Sequence, residues 1–264
     1  MDAIEQSVEI PAGGAALEAE IAVPVPSRGM VLLVHGESPD HDHPWIGRVA
    51  VALQDAGLAT TVLGLLAAAE ERIDASGDPV SSDIHPLGER VIAAADWLVE
   101  HEFAPGPDIG LFGAGVGAAA ALIAASAWAS VAAIVVCGSR TDLAAELLHR
   151  VRQPTLVIVG EDDWATVGLD RLALARTGGE AHLEMFSGDL DEAARSARDW
   201  FVRHLRTTAP AATASATPAP SPGSSPTSFA EAAVRQCRGG ELRDRGVSRA
   251  GTGPIIERPD RGHS

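Results

Sequence analysis

The segment Asp108-Ile-Gly-Leu-Phe-Gly113-Ala-Gly115-Val-Gly117-Ala-Ala-Ala-Ala-Leu122 restricts the fold more than any other stretch of this chain. It reads as a short apolar strand, a tight turn of alternating glycines, and an alanine-rich helix. The rest of residues 1–206 repeats the theme. Strand candidates are Ala16–Val23, Gly29–His35, Ala59–Leu65, Asp108–Phe112, Val131–Cys137, Pro154–Gly160 and Ala181–Phe186. Most are runs of Val, Ile and Leu bounded by Gly or Pro, the pattern of strands buried on both faces. Helix candidates lie between them: Trp45–Ala56, Ser82–His101, Val116–Ala129, Asp142–Arg150, Gly168–Arg176 and Leu190–Leu205. Such alternation predicts an α/β fold with a mostly parallel central sheet and helices on both faces.

Bulk properties narrow the setting. The 264 residues are 46% hydrophobic and carry a formal net charge of −16. That balance argues against nucleic acid and against an anionic membrane as partners. The alanine-rich stretch 118–136 is interrupted by Ser126 and Ser130 and reads as two elements, not a membrane span. Cys137 and Cys237 are too few and too far apart for a disulfide framework, so a cytoplasmic location is expected. The acidic start, Met1-Asp-Ala-Ile-Glu, has no hydrophobic core of a signal peptide.

Composition changes near residue 207. Residues 207–227 are Thr, Ala, Pro, Ser and Gly throughout, the pattern of a disordered linker. Residues 228–264 hold one helical candidate, Ser228–Arg238, and are otherwise rich in Gly, Arg and Pro. The expected organisation is one domain over 1–206 and a disordered tail over 207–264. The tail carries +2 and the body −18. A solvated tail is the plainer expectation; a protein partner for it is the alternative.

Several ordered motifs together resemble the dienelactone hydrolase group of α/β-hydrolases, over roughly residues 5–206. They are Val31-Leu-Leu-Val-His-Gly36, Ala56-Gly-Leu-Ala59, Gly110-Leu-Phe-Gly-Ala114, Pro154-Thr-Leu-Val-Ile-Val-Gly160 with Asp163 after it, and Ala197-Arg-Asp-Trp-Phe-Val-Arg-His-Leu205. The resemblance implies an α/β-hydrolase fold whose glycine turn is a nucleophile elbow, G-x-Ser/Cys-x-G. It also implies an acid after the strand at 154–160 and a histidine in the turn after the last strand. Here the acid is retained as Asp163, with Asp162 beside it. The nucleophile position is Gly115, and Met185-Phe-Ser-Gly-Asp-Leu-Asp-Glu192 holds no histidine. His204 falls on the closing helix, in a part of the family pattern that is not catalytic. A serine attacks only when a base takes its proton and an acid orients that base. The expectation is therefore a family member that lacks serine-hydrolase activity. It would keep oxyanion donors at the Val116 N–H and in the loop after His35-Gly36, with a pocket for a small molecule and no cofactor.

Other constellations compete. Gly113-x-Gly115-x-x-Ala118 also fits a dinucleotide fingerprint, though three strand candidates precede it and the next strand ends Val135-Val-Cys-Gly-Ser-Arg140 without a ribose-binding acid. Arg140 is the group there that would meet a 2′-phosphate. The loop Glu37-Ser-Pro-Asp-His-Asp-His-Pro44 sets His41 and His43 near His35, where a metal-bound water would bypass the missing serine; a polar surface loop is the simpler reading. Cys137 and Ser139, at a strand end facing the crevice, are candidate displaced nucleophiles, with a buried structural cysteine as the plainer account. His85, His149 and His182 read as structural.

Overall fold

The computed structural model describes residues 3–36, 44–74, 83–104, 106, 108–138, 141–161 and 164–205. Eight strands form one sheet: β1 (Ala3–Ala12), β2 (Ala15–Pro24), β3 (Met30–His35), β4 (Ala59–Gly64), β5 (Ile109–Ala114), β6 (Val131–Cys137), β7 (Thr155–Gly160) and β8 (Ala181–Phe186). Their spatial order is β1-β2-β4-β3-β5-β6-β7-β8. β2 runs antiparallel to both neighbours, and every pair from β4 to β8 is parallel. Parallel strands need crossovers, and the helices supply them. These are α1 (Pro44–Asp55), α2 (Ala68–Asp74), α3 (Ile84–Glu100), α4 (Val116–Ala127), α5 (Trp164–Leu174) and α6 (Leu190–His204).

The sheet separates two apolar layers. Met30, Leu32 and Val34 of β3 face α3 and α4, while Val31 and Leu33 face α1 and α6. Side chains alternate across a strand, so one strand feeds both layers. The central strands β3 and β5 are buried almost end to end, which explains their unbroken apolar sequence. Helix α4 is buried from Gly117 to Ala125. Its alanines allow a close approach to sheet and neighbouring helix that larger side chains would forbid.

The predicted architecture is correct, and three local expectations are not. β1 is absent from the sequence-based set because its outward residues are polar and only Ile10 and Ala12 are buried. It is held by a ten-residue antiparallel ladder with β2, which sequence periodicity does not reveal. Helix α2 is too short to show a period. Its Glu70 accepts from the Ala67 N–H at 2.9 Å and takes two bonds from Arg90 at 2.6 and 2.7 Å. Arg90 also donates to the Leu65 carbonyl at 2.7 Å, so this buried pair fixes the chain leaving β4. Those bonds hold the Glu70 carboxyl below the usual range. The third correction is Asp142–Arg150. It is two 3-10 stretches, Thr141–Ala144 and Leu148–Arg150, closed by i to i+3 bonds such as Leu147 N–H to the Ala144 carbonyl at 2.9 Å.

Among the described residues no helix is long and apolar enough to cross a membrane. The proposed tail, 207–264, lies outside the described residues.

Candidate active site

The C-terminal ends of β3, β5 and β6 meet in register: His35 pairs with Ala114, and Ala114 with Cys137. In open α/β sheets this edge is where ligands bind. The turn from β5 into α4 sits at its centre. Gly115 has φ 55° and ψ −120°, its N–H donates to the Cys137 carbonyl at 3.2 Å, and its own carbonyl accepts from the Ala118 N–H at 3.1 Å. Strand therefore becomes helix through a single residue of positive φ.

The alternating glycines have different jobs. A Cβ on Gly113 would lie 2.5 Å from the Gly117 carbonyl oxygen and 2.6 Å from the Ala118 Cα. A Cβ on Gly117 would lie 2.3 Å from the Val34 carbonyl oxygen and 2.9 Å from the His35 Cα. Both flanking glycines are thus required by backbone packing. Gly115 is not: among the described residues a Cβ there meets nothing within 4 Å.

The two expected oxyanion elements are adjacent. A Cβ on Gly36 would come 3.0 Å from the Val116 Cβ, so the chain after β3 lies against the first residue of α4. His35 is 3% exposed and sits on the sheet edge beside the elbow.

No family model matches the sequence. A solved dienelactone hydrolase from Anabaena variabilis is 34% identical with a TM-score of 0.73, over 78% of this chain and 100% of its own. The chain belongs to the dienelactone hydrolase-like α/β-hydrolase family. A cold-adapted esterase from an Arctic intertidal metagenomic library shares the fold at 17% identity and a TM-score of 0.60, over 78% of this chain and 96% of its own. Two Mycobacterium tuberculosis proteins that carry a provisional phosphoribosyl transferase name are 35% identical over 211 residues, 76% of this chain and 47% of theirs. This chain spans about half the length of those relatives.

Within that family frame the remaining candidates fall as follows. The β8–α6 turn, where the resemblance expects the base, is Ser187-Gly188-Asp189. Asp189 caps α6, its Oδ1 accepting from the Asp191 N–H at 2.9 Å, and Ser187 Oγ donates to Glu192 Oε2 at 3.2 Å. The turn's polar groups are engaged in starting a helix. His182 pairs in register with Leu156 near the start of β7, at the opposite end of the sheet, and its Nε2 lies 3.2 Å from Glu180. His204 packs tilted against Trp200, ring centroids 4.4 Å apart, its Nε2 buried without a hydrogen bond, and burial holds the ring towards its neutral form. His85 and His149 are exposed. Asp162, Asp163, His41, His43, Ser139 and Arg140 lie outside the described residues, as does Cys237. Among the described residues no group of three or more His, Cys, Asp or Glu is arranged to hold a metal.

Cys137 is a free, buried cysteine whose thiol is pushed up to about 12, chiefly by burial, with the charge of Asp170 adding to the effect. A nucleophilic cysteine needs its thiolate, and this site suppresses it. Asp170 itself escaped sequence reasoning. It is fully buried on α5 and accepts from Thr141 Oγ1 at 2.7 Å, tying α5 to the first 3-10 stretch. Its signal was an acid three residues after Val167 and three before Ala173, on the inward face of the helix. The glycines of the dinucleotide fingerprint also have a packing role. The motif follows the fifth strand, not the first, and its Gly113 and Ala118 are in mutual backbone contact.

Proposed function

We propose that this chain is a hydrolase-family protein that binds a small molecule bearing a carbonyl or carboxylate and does not hydrolyse it by a serine mechanism. One observation supports the proposal: the elbow keeps its turn and its flanking glycines, while residue 115 is a glycine with no described residue within 4 Å of where its Cβ would stand. Chemistry needs an attacking atom there and a base to activate it. The turn that would bring the base is a helix cap instead. What remains at the sheet edge is a pair of oxyanion elements, the Val116 N–H and the chain at Gly36, suited to an oxygen that is bound but not attacked. An active hydrolase using Cys137 is disfavoured by its protonated, buried thiol.

The phosphoribosyl transferase name of the M. tuberculosis relatives does not carry over. Their match and the dienelactone hydrolase match each cover more than three quarters of this chain. This chain spans only 47% of those relatives, so their transferase name is not part of the proposal.

A fluorophosphonate probe tests the proposal directly. The native protein should label no more than a heat-denatured control, and clear native-only labelling would overturn it. Restoration adds a second arm. Gly115→Ser alone should leave p-nitrophenyl acetate turnover near background, because no base follows β8. Combined with Ser187→His, turnover should rise by about 10²-fold, the contribution expected of a positioned general base. Strong activity from Gly115→Ser alone would mean that a base already stands at the crevice.

A further inference from the structure

β4 ends at Gly64, and the next residue, Leu65, sits between two hydrogen bonds that reach different parts of the fold. Its N–H donates to the His35 carbonyl at 3.0 Å, and its own carbonyl accepts from Arg90 Nη1 at 2.7 Å. Leu65 is fully buried, so both of its backbone groups need a partner. Arg90, on α3, is 7% exposed and forks onto Glu70 of α2: Nη1 donates to Oε2 at 2.7 Å and Nη2 to Oε1 at 2.6 Å. Glu70 Oε2 accepts in turn from the Ala67 N–H, two residues beyond Leu65. One ion pair therefore holds the segment Leu65–Ala67 at both ends.

Stability is a poor account of this pair. Taking a guanidinium and a carboxylate out of water costs about as much as their attraction offsets, and apolar residues in their place are often as stable. Arg90 Nε adds to the cost, because it is buried with no hydrogen bond among the described residues. What a planar fork supplies is direction. That direction extends to the sheet edge. The His35 carbonyl and the Gly36 N–H belong to one trans peptide, so they point to opposite sides. The carbonyl points towards β4, where the Leu65 N–H holds it. The Gly36 N–H is thereby turned to the β5 side, where the chain at Gly36 lies against Val116.

We infer that Glu70 and Arg90 are positioning residues for the ligand site: through Leu65 they set the His35–Gly36 peptide plane, and with it the oxyanion elements at Gly36 and Val116. The inference rests on the carbonyl or carboxylate reading for its ligand. Both side chains act through the backbone, and neither has to reach the bound oxygen. A tilt of that one plane turns the Gly36 N–H away from the oxygen while the sheet stays intact.

NMR of the full chain tests this, with sodium butyrate as the probe carboxylate. In Arg90→Met the Leu65 amide should exchange with solvent about tenfold faster or more, measured against Val135 and Val157 of β6 and β7. That is the weight of one lost hydrogen bond to a charged group. The Gly36 and Val116 amide resonances should shift, and butyrate binding read at Val116 should weaken by about tenfold. Glu70→Gln keeps an acceptor for the Ala67 N–H and should act in the same direction by about threefold, which covers an Arg90→Met chain that fails to fold. Trp128→Phe removes the 2.9 Å bond from Trp128 to Asp96, further along α3, and should change none of these. Leu65 exchange that stays in step with Val135 and Val157 would overturn the inference. So would a loosened Leu65 with Gly36 and Val116 unmoved, or butyrate binding of native strength in both variants. A native chain whose Val116 amide ignores butyrate would overturn the ligand reading alone, and the exchange comparison would still decide the positioning role.

Discussion

The β5–α4 turn and the β8–α6 turn stand at the same edge of the sheet, and in this family the first carries the nucleophile and the second the base. Here they have diverged in opposite ways. The first keeps its conformation, with Gly115 at φ 55° and the flanking glycines pressed against Val34, His35 and Ala118. The second is a three-residue link whose Ser187 and Asp189 side chains hold the start of α6. The difference lies in what each turn does for folding. The elbow's path is fixed by backbone contacts within the central core, whatever side chain stands at 115. The β8–α6 turn lies at an edge strand and is constrained by little beyond the need to begin a helix. A turn whose shape also packs the core is held in place whatever side chain stands at its tip.

The largest expected effect attacks the retained turn. In Gly117→Ala the new Cβ would sit 2.3 Å from the Val34 carbonyl oxygen, so β3 or α4 must move. Both are central, and overpacking of backbone against backbone should cost about 3 kcal/mol or more. Urea denaturation followed by tryptophan fluorescence measures it. A loss below about 1 kcal/mol would show that something other than packing fixes the elbow.

Gly115→Ala separates strain from sterics. Among the described residues nothing lies within 4 Å of the new Cβ, so the positive φ is the opposing factor they show. That strain should cost about 1–3 kcal/mol, less than Gly117→Ala by the same measurement. If Gly115→Ala proved stabilising, the positive φ at residue 115 would carry no strain. If it cost as much as Gly117→Ala, the space around residue 115 would not be open.

Much of this was legible in the sequence because it has a period or a fixed spacing. The runs Met30–Val34 and Val131–Cys137 are apolar throughout because both faces are buried, and such runs announce themselves. The glycine spacing around Gly115 located the elbow and its missing side chain. What escaped depends on partners remote in sequence. β1 exists because β2 offers it a ladder, and α2 is pinned by an arginine twenty residues away. Asp142–Arg150 has a helical pattern, yet the Thr141–Asp170 bond and the turn towards β7 leave room only for 3-10 stretches. At the site, the glycine at position 115 and the lack of a histidine in Ser187–Asp191 are plain in the sequence. The burial that disables Cys137 depends on the layer it faces, which no local spacing encodes.

The smallest effect tests the second turn. If its polar residues now serve α6, then Asp189→Ala removes the acceptor for the Asp191 N–H and should cost about 1 kcal/mol, the usual loss for an N-cap. Asp191 also meets Arg48 of α1 at 2.6 Å, but both side chains are about half exposed, so that pair adds little. Asp189→Asn should recover most of the loss, since its amide oxygen can still accept. Ser187→Ala should cost less than Asp189→Ala, because its bond to Glu192 is longer and lies at the surface. An Asp189→Ala variant as stable as the native chain would remove the case that this turn was rebuilt as a cap. The contrast with the elbow would then rest on the absent histidine alone.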